Sequence, residues 1–205
     1  MLMPFIQGFG MGGGLIIAIG AQNAFVLSQG VRRNYLLAIP LICSLCDMLL
    51  IAIGVAGVGT IVAQHPQITR IASWGGAAFL FWYGLRSLRS ALRGEALEAG
   101  ENSIRSLRSA ILTTLAVTLL NPHVYLDTMI LLGSISGQFE GNGRLLFGAG
   151  AMSASVAWFF SLSLGGRILT PLFQRPLAWQ ILDSLVCVTM WGIAASLVWQ
   201  GMLRG

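Results

Sequence analysis

Six apolar stretches, at roughly 4–28, 36–63, 68–90, 109–133, 145–170 and 178–202, fill most of this 205-residue chain. Each reaches the about 20 residues that an α-helix needs to cross hydrocarbon. In lipid no water satisfies backbone N–H and C=O groups, so a spanning segment of this kind must be helical. Composition agrees. Only 9% of the residues are charged, against about 25% in soluble domains. That is too few to coat a soluble surface, and 56% apolar residues exclude a disordered chain. The expected fold is therefore an all-α membrane protein with six transmembrane helices in a single domain, 1–205. The three cysteines lie inside apolar runs and do not read as a secreted disulfide framework.

The joints between the segments are polar or helix-breaking: 29–34, 64–67, 91–108, 141–144 and 170–176. The chain has 12 basic residues, all arginine, and a net charge of +5. Nine arginines border the joints after segments one, three and five, and three border the other side. A bias of this kind marks the cytoplasmic face, so both termini are expected outside. The first segment is not expected to be a cleaved leader, because its first positive charge is Arg32. The joint 91–108 mixes Glu95, Glu98 and Glu101 with nearby arginines and reads as a solvated cytoplasmic connector.

The third and sixth segments repeat each other. Trp74-Gly75-Gly76-Ala77-Ala78-Phe79-Leu80-Phe81-Trp82-Tyr83-Gly84 matches Trp191-Gly192-Ile193-Ala194-Ala195-Ser196-Leu197-Val198-Trp199-Gln200-Gly201 at seven of eleven positions. More weakly, Asp47…Gly57 falls beside Ser155…Gly165, and Gly20-Ala21-Gln22-Asn23 beside Asn121-Pro122-His123. Two repeats, about 1–93 and 104–205, follow. Three spans per repeat is an odd number, so the second copy must enter from the opposite side. That is an inverted 3+3 repeat, an arrangement used by many secondary transporters.

Two carboxylates sit at membrane depth: Asp47 in the second segment and Asp127 in the fourth. A charge there costs about 2.5–3.5 kcal/mol on insertion scales. No arginine lies beside either in sequence, so each acid is either protonated or awaits a transient cation; a structural acid bonded between helices is the alternative. Asp183, near the start of the sixth segment, reads as structural, reaching the interface or pairing with Arg167. Asn121-Pro122 must interrupt the fourth segment, since proline lacks an N–H and displaces a carbonyl. Gly20-Ala21-Gln22-Asn23 has similar polarity in the first. A broken helix offers the positive end of one half to a carboxylate and bare carbonyls to a cation; a plain kink is the alternative. The glycines at 8/12 and 10/14 have the GxxxG spacing of close helix packing. No ATPase motif is present, so energy for transport must come from an ion gradient or a partner. Cys43-Ser44-Leu45-Cys46 is a CxxC on one helix face, which leaves a membrane thiol–disulfide electron carrier as a second reading.

The combination of Gly20-Ala21-Gln22-Asn23-Ala24-Phe25…Gln29-Gly30-Val31-Arg32-Arg33, Asp47, Trp74-Gly75-Gly76 and Asn121-Pro122-His123-Val124-Tyr125-Leu126-Asp127 resembles the LysE family of amino-acid exporters. The resemblance runs in order along nearly the whole chain. It implies a multi-pass protein of the bacterial inner (plasma) membrane that exports basic L-amino acids such as arginine, lysine or canavanine by proton-coupled antiport. It carries no enzyme activity, cofactor or metal. The family's acids map onto Asp47 and Asp127, and its helix breaks onto 20–23 and 121–123. Where relatives usually have Gly-Pro-Gln-Asn, this chain has Ala21, so its first break rests on Gly20. Expected substrate- and proton-binding residues are Asp47, Asp127, Gln22, Asn23, Asn121, His123 and Tyr125, with Gly20 and Pro122 as helix breaks, between segments one, two, four and five. Expected partners are the amino acid, protons and membrane lipids, not nucleic acid. A homodimer is left open, as are neutral substrates such as homoserine or threonine.

Overall fold

The structure, a computed structural model, describes residues 2–17, 20–57, 66–93, 106–169 and 176–203. All regular structure among them is helical: α1 (Leu2–Ile17), α2 (Ala21–Val31), α3 (Ala38–Val55), α4 (Pro66–Arg93), α5 (Leu107–Leu119), α6 (Pro122–Tyr125), a π-helical segment (Leu126–Leu131), α7 (Leu132–Ser136), α8 (Asn142–Leu169) and α9 (Pro176–Leu203). Most of the connector expected at 91–108, with its glutamates, lies outside the described residues, as does most of the joint at 170–176.

Local chemistry sets the ends. Pro66, Pro122 and Pro176 each stand first in their helix, where the missing N–H has no intrahelical partner to lose. Ser106 caps α5, its side chain accepting from the Ser109 N–H at 3.1 Å. Beyond α2 the chain turns sharply through Arg33 and Tyr35, both left-handed, with φ of 56° and 47°. Such a conformation is strained for side chains of this kind. Asn34 holds the turn by donating its backbone N–H to the Gln29 carbonyl at 2.9 Å and its amide to the Gln29 side chain at 3.0 Å.

The first and fourth apolar segments are both broken. α1 and α2 meet at 79°, and α5 meets the helix after it at 66°. The first break lies at Gly20, whose backbone is extended (φ −134°, ψ 172°), so no proline is needed there. The second lies at Leu120 and Asn121.

By length and hydropathy α3 and α8 each suffice to cross a membrane, and each bent pair suffices as one span. That supports up to four spans rather than the six expected. α4 and α9 are 28 residues each, or roughly 42 Å at helical rise. In α4 the arginines dilute the apolar run, whereas α9 contributes a shorter apolar stretch, Gln180–Ser196.

Small residues let the backbones approach. Gly8 packs on Phe147, and a Cβ at Gly12 would lie 2.8 Å from the Ala151 Cα. Gly10 and Gly14 have nothing within 4 Å, so only the 8/12 spacing is a packing face. α1 and α2 follow α8 from Phe147 to Gly166, where a Cβ would press on Leu27, Gly30 and Val31. α3 runs the other way along α8, with Val55 near Gly148 and Asp47 bonded to Ser155. At α3's far end Gly54 and Gly133 also approach, a Cβ on Gly133 lying 2.6 Å from the Gly54 carbonyl oxygen. α4 and α9 are antiparallel, with Phe81 stacked on Trp191 at 5.5 Å and Gly84 beneath the same indole. The core between them holds fully buried Phe25, Ile39, Leu80, Phe159 and Met190.

Arg32, Ser90 and Asp183 gather at one end of the bundle. The Arg32 guanidinium donates to both Asp183 oxygens at 2.8 and 2.9 Å, and the Ser90 hydroxyl donates to the same carboxylate at 2.6 Å. Asp183 is thus structural, but its partner is Arg32, not Arg167. Arg167 belongs to the exposed last turn of α8.

Candidate functional site

Both helix breaks open on a common cavity of about 300 Å³, at the small end of the range for ligand pockets. Its polar lining is Gln22, Asn23, Asp47, Asn121, His123, Asp127 and Thr128, with the Gly20 backbone; its apolar walls are Leu15, Ile16, Val124, Leu132 and Ile193. Six of the seven side chains expected from the sequence to bind substrate or protons therefore converge. Tyr125 does not line the cavity.

Asp47 stands on α3, buried to 2% exposure. One oxygen accepts from the Ser155 hydroxyl at 2.8 Å, and the other has no hydrogen-bond partner. A buried acceptor left open costs free energy unless a ligand or water meets it. Asp127 stands on the π-helical segment, half-buried at the cavity wall. Such segments re-aim side chains and recur at functional sites. Neither acid has an ion-pair partner among the described residues. Gln22 is 7% exposed, and its amide nitrogen is also without a partner.

The start of α2 faces the same space. Its N-cap, Gly20, offers no side chain to the first amides, which concentrate the positive end of the helix dipole. At the second break the start is capped: the Asn121 side chain accepts from the His123 N–H at 3.2 Å. Asn121 is thereby committed in part to its own helix.

Two of the expected binding residues also mend the breaks. Each break strands carbonyls at the end of the preceding helix, and within a membrane these need partners. The Asn23 amide donates to the Ile16 carbonyl at 2.7 Å, and the Tyr125 hydroxyl donates to the Leu119 carbonyl at 2.8 Å. Both bonds reach back across a break, over seven and six residues. Sequence spacing does not reveal them, because they form only once the chain has bent.

Ser155, Thr128, Trp158 and Ile193 were not expected at the site. Only Ser155 carried a signal, since the repeat sets it beside Asp47. Ile193 brings the sixth segment into the wall, whereas the fifth touches the site through Ser155 and through Trp158, which donates to Asn23 at 3.2 Å. Cys43 is buried in the core, Cys46 is half-buried, and both are free thiols.

The chain is similar to named sequences along almost all of its length. It is 45% identical over 202 residues to the arginine exporter protein ArgO of Serratia proteamaculans, covering 98% of each chain. It is 43% identical over 204 residues to the protein of that name from Photorhabdus laumondii, covering 99% of each. It is 47% identical over 198 residues to the putative amino-acid transporter YggA of Aeromonas salmonicida, covering 96% of each. No solved structure matches it. The LysE type translocator model matches residues 14–201, which takes in both breaks and both cavity acids. Two of these relatives are named as exporters and the third as a putative transporter. The chain belongs to the LysE translocator family, and it is a transporter rather than an enzyme.

Proposed function

We propose that this protein is a secondary exporter of basic L-amino acids, with L-arginine as principal substrate and lysine and canavanine as related ones. The observation that carries this reading is the polarity of one cavity. Two acids without ion-pair partners among the described residues, Asp47 and Asp127, share it with the uncapped start of α2. A basic amino acid presents the complementary groups. Its carboxylate meets the first amides of α2 and the open Gln22 amide nitrogen. Its ammonium and guanidinium meet Asp47 and Asp127. The apolar walls suit the methylene stem of the side chain. Proton exchange at one of these acids releases the cation and resets the carrier, giving antiport.

Alternating access is supported by the packing. In an inverted repeat the first and fourth segments exchange places, as do the second and fifth, and the third and sixth. α2 crosses α8 at Gly30 and Gly166, while α7 crosses α3 at Gly133 and Gly54. Asp47 and Ser155, set side by side by the repeat, touch, and so do the repeated stretches of α4 and α9. These are the contacts expected near a two-fold axis in the membrane plane. With six spans and the arginine-rich joints in the cytoplasm, the termini lie in the periplasm and the bundle in the inner membrane.

Counterflow of labelled L-arginine into proteoliposomes tests the reading, with lysine, homoserine and threonine as competitors and an imposed pH gradient. Accumulation that lysine competes away and a pH gradient drives is expected. Competition by homoserine or threonine alone would reassign the substrate to neutral amino acids, and no counterflow at all would end the transport reading of the cavity.

A further inference from the structure

The Asn23 side chain has two faces that are not interchangeable. Its nitrogen donates to the Ile16 carbonyl, and its oxygen accepts from the Trp158 indole N–H at 3.2 Å. Ile16 offers only an acceptor there and the indole only a donor. An amide turned over would set N–H against N–H and oxygen against oxygen. One orientation therefore satisfies both partners. Trp158 selects it from α8, 135 residues away in sequence.

The Ile16 carbonyl is what links this detail to the cavity. It belongs to the last described turn of α1, and α2 begins at Ala21, after the extended Gly20. The amide reaches across that gap and ties the end of one helix to the first turn of the next. Ile16, Gly20, Gln22 and Asn23 all line the cavity. The tie thus fixes the angle at which the start of α2 faces it. At the other break the Tyr125 hydroxyl holds the Leu119 carbonyl directly. A phenol oxygen carries a rotating hydrogen and needs no third residue to orient it. An amide does.

We propose that Trp158 is a positioning residue for the transport site: its indole N–H orients the Asn23 amide, which splints the break between α1 and α2 and holds the first turn of α2 toward the cavity. Asn23 is on this account a splint before it is a ligand. The link to transport rests on the reading of the cavity as the transport site; the splint itself does not.

Trp158→Phe keeps a ring and removes the donor. Hydrogen–deuterium exchange on detergent-purified full-length protein reads the splint without transport. Peptides covering 16–25 are expected to exchange about fivefold faster in Trp158→Phe, the loss of one ordinary hydrogen bond. Peptides from the α4–α9 contact are expected to be unchanged. Asn23→Ala is expected to give the same acceleration, and adding Trp158→Phe to it no more, because the tryptophan acts through the amide. In counterflow, Trp158→Phe is expected to raise the half-saturating L-arginine concentration by a similar factor while maximal rate changes less. Unchanged exchange at 16–25 would overturn the proposal, and so would full additivity of the two substitutions. Faster exchange in the variants, with no arginine counterflow even in the unsubstituted protein, would uphold the splint and remove the transport reading of the cavity instead.

Discussion

Replacing Asp183 by asparagine removes one charge from the most tightly bonded ion pair described in the bundle and alters almost no volume. The carboxylate is buried, its side chain 6% exposed, and the Arg32 guanidinium is 19% exposed. It accepts two bonds from Arg32 and one from Ser90, at 2.6–2.9 Å. Together they tie the end of α2 to α4 and α9. Stranding one partner of such a pair costs about 3–5 kcal/mol. Asparagine keeps one acceptor oxygen, so the lower figure, about 3 kcal/mol, applies. For a soluble domain of this length each kcal/mol lowers Tm by about 2–4 °C. Asp183→Asn should then melt roughly 6–12 °C below the unsubstituted protein, read by fluorescence in a mild detergent. Adding Arg32→Gln removes the opposing charge as well and should recover more than half of that loss, since neutral replacement of both partners is often nearly free. A drop in Tm of less than about 2 °C, or a double variant less stable than Asp183→Asn, would refute the assignment.

Other consequences are as direct. Gly8→Leu should prevent folding, because any Cβ there meets the Phe147 backbone, whereas Gly10→Leu should express and insert normally, with open space at that position; membrane yield and monodispersity read both. Tyr125→Phe strands the Leu119 carbonyl, should cost about 1–3 kcal/mol of stability, and should leave the order of competing substrates unchanged because Tyr125 does not line the cavity; thermal unfolding and competition counterflow test the two halves. Ser155→Ala removes the donor that fixes one Asp47 oxygen and should weaken L-arginine half-saturation about fivefold, measured by counterflow.

The helical character of the apolar runs and the two breaks were legible in the sequence because each rests on local physics. Long apolar runs admit only helix, and Asn121-Pro122 cannot continue one. The first break was legible too, through Gly20 and the polar residues after it, even without a proline. Convergence of Asp47 and Asp127 on one cavity was legible because an uncompensated acid at membrane depth has few other uses. What the sequence withheld depends on partners brought close by the bend or by tertiary packing. Asp183 has Arg167 16 residues away in sequence, yet it meets Arg32 instead, 151 residues away. Asn23 and Tyr125 have the chemistry of ligands, and only the direction of the stranded carbonyls turns them into splints. Ile193 was hidden in an apolar motif whose repeat partner, Gly76, has no side chain to compare.

The proposed export requires a basic amino acid to lie between Asp47 and Asp127. Equilibrium binding of labelled L-arginine to purified protein measures this without any transport step. The unsubstituted protein should bind saturably, and Asp47→Asn and Asp127→Asn, each still folded by thermal unfolding, should lose that binding at least tenfold. Full affinity in both variants would contradict the account.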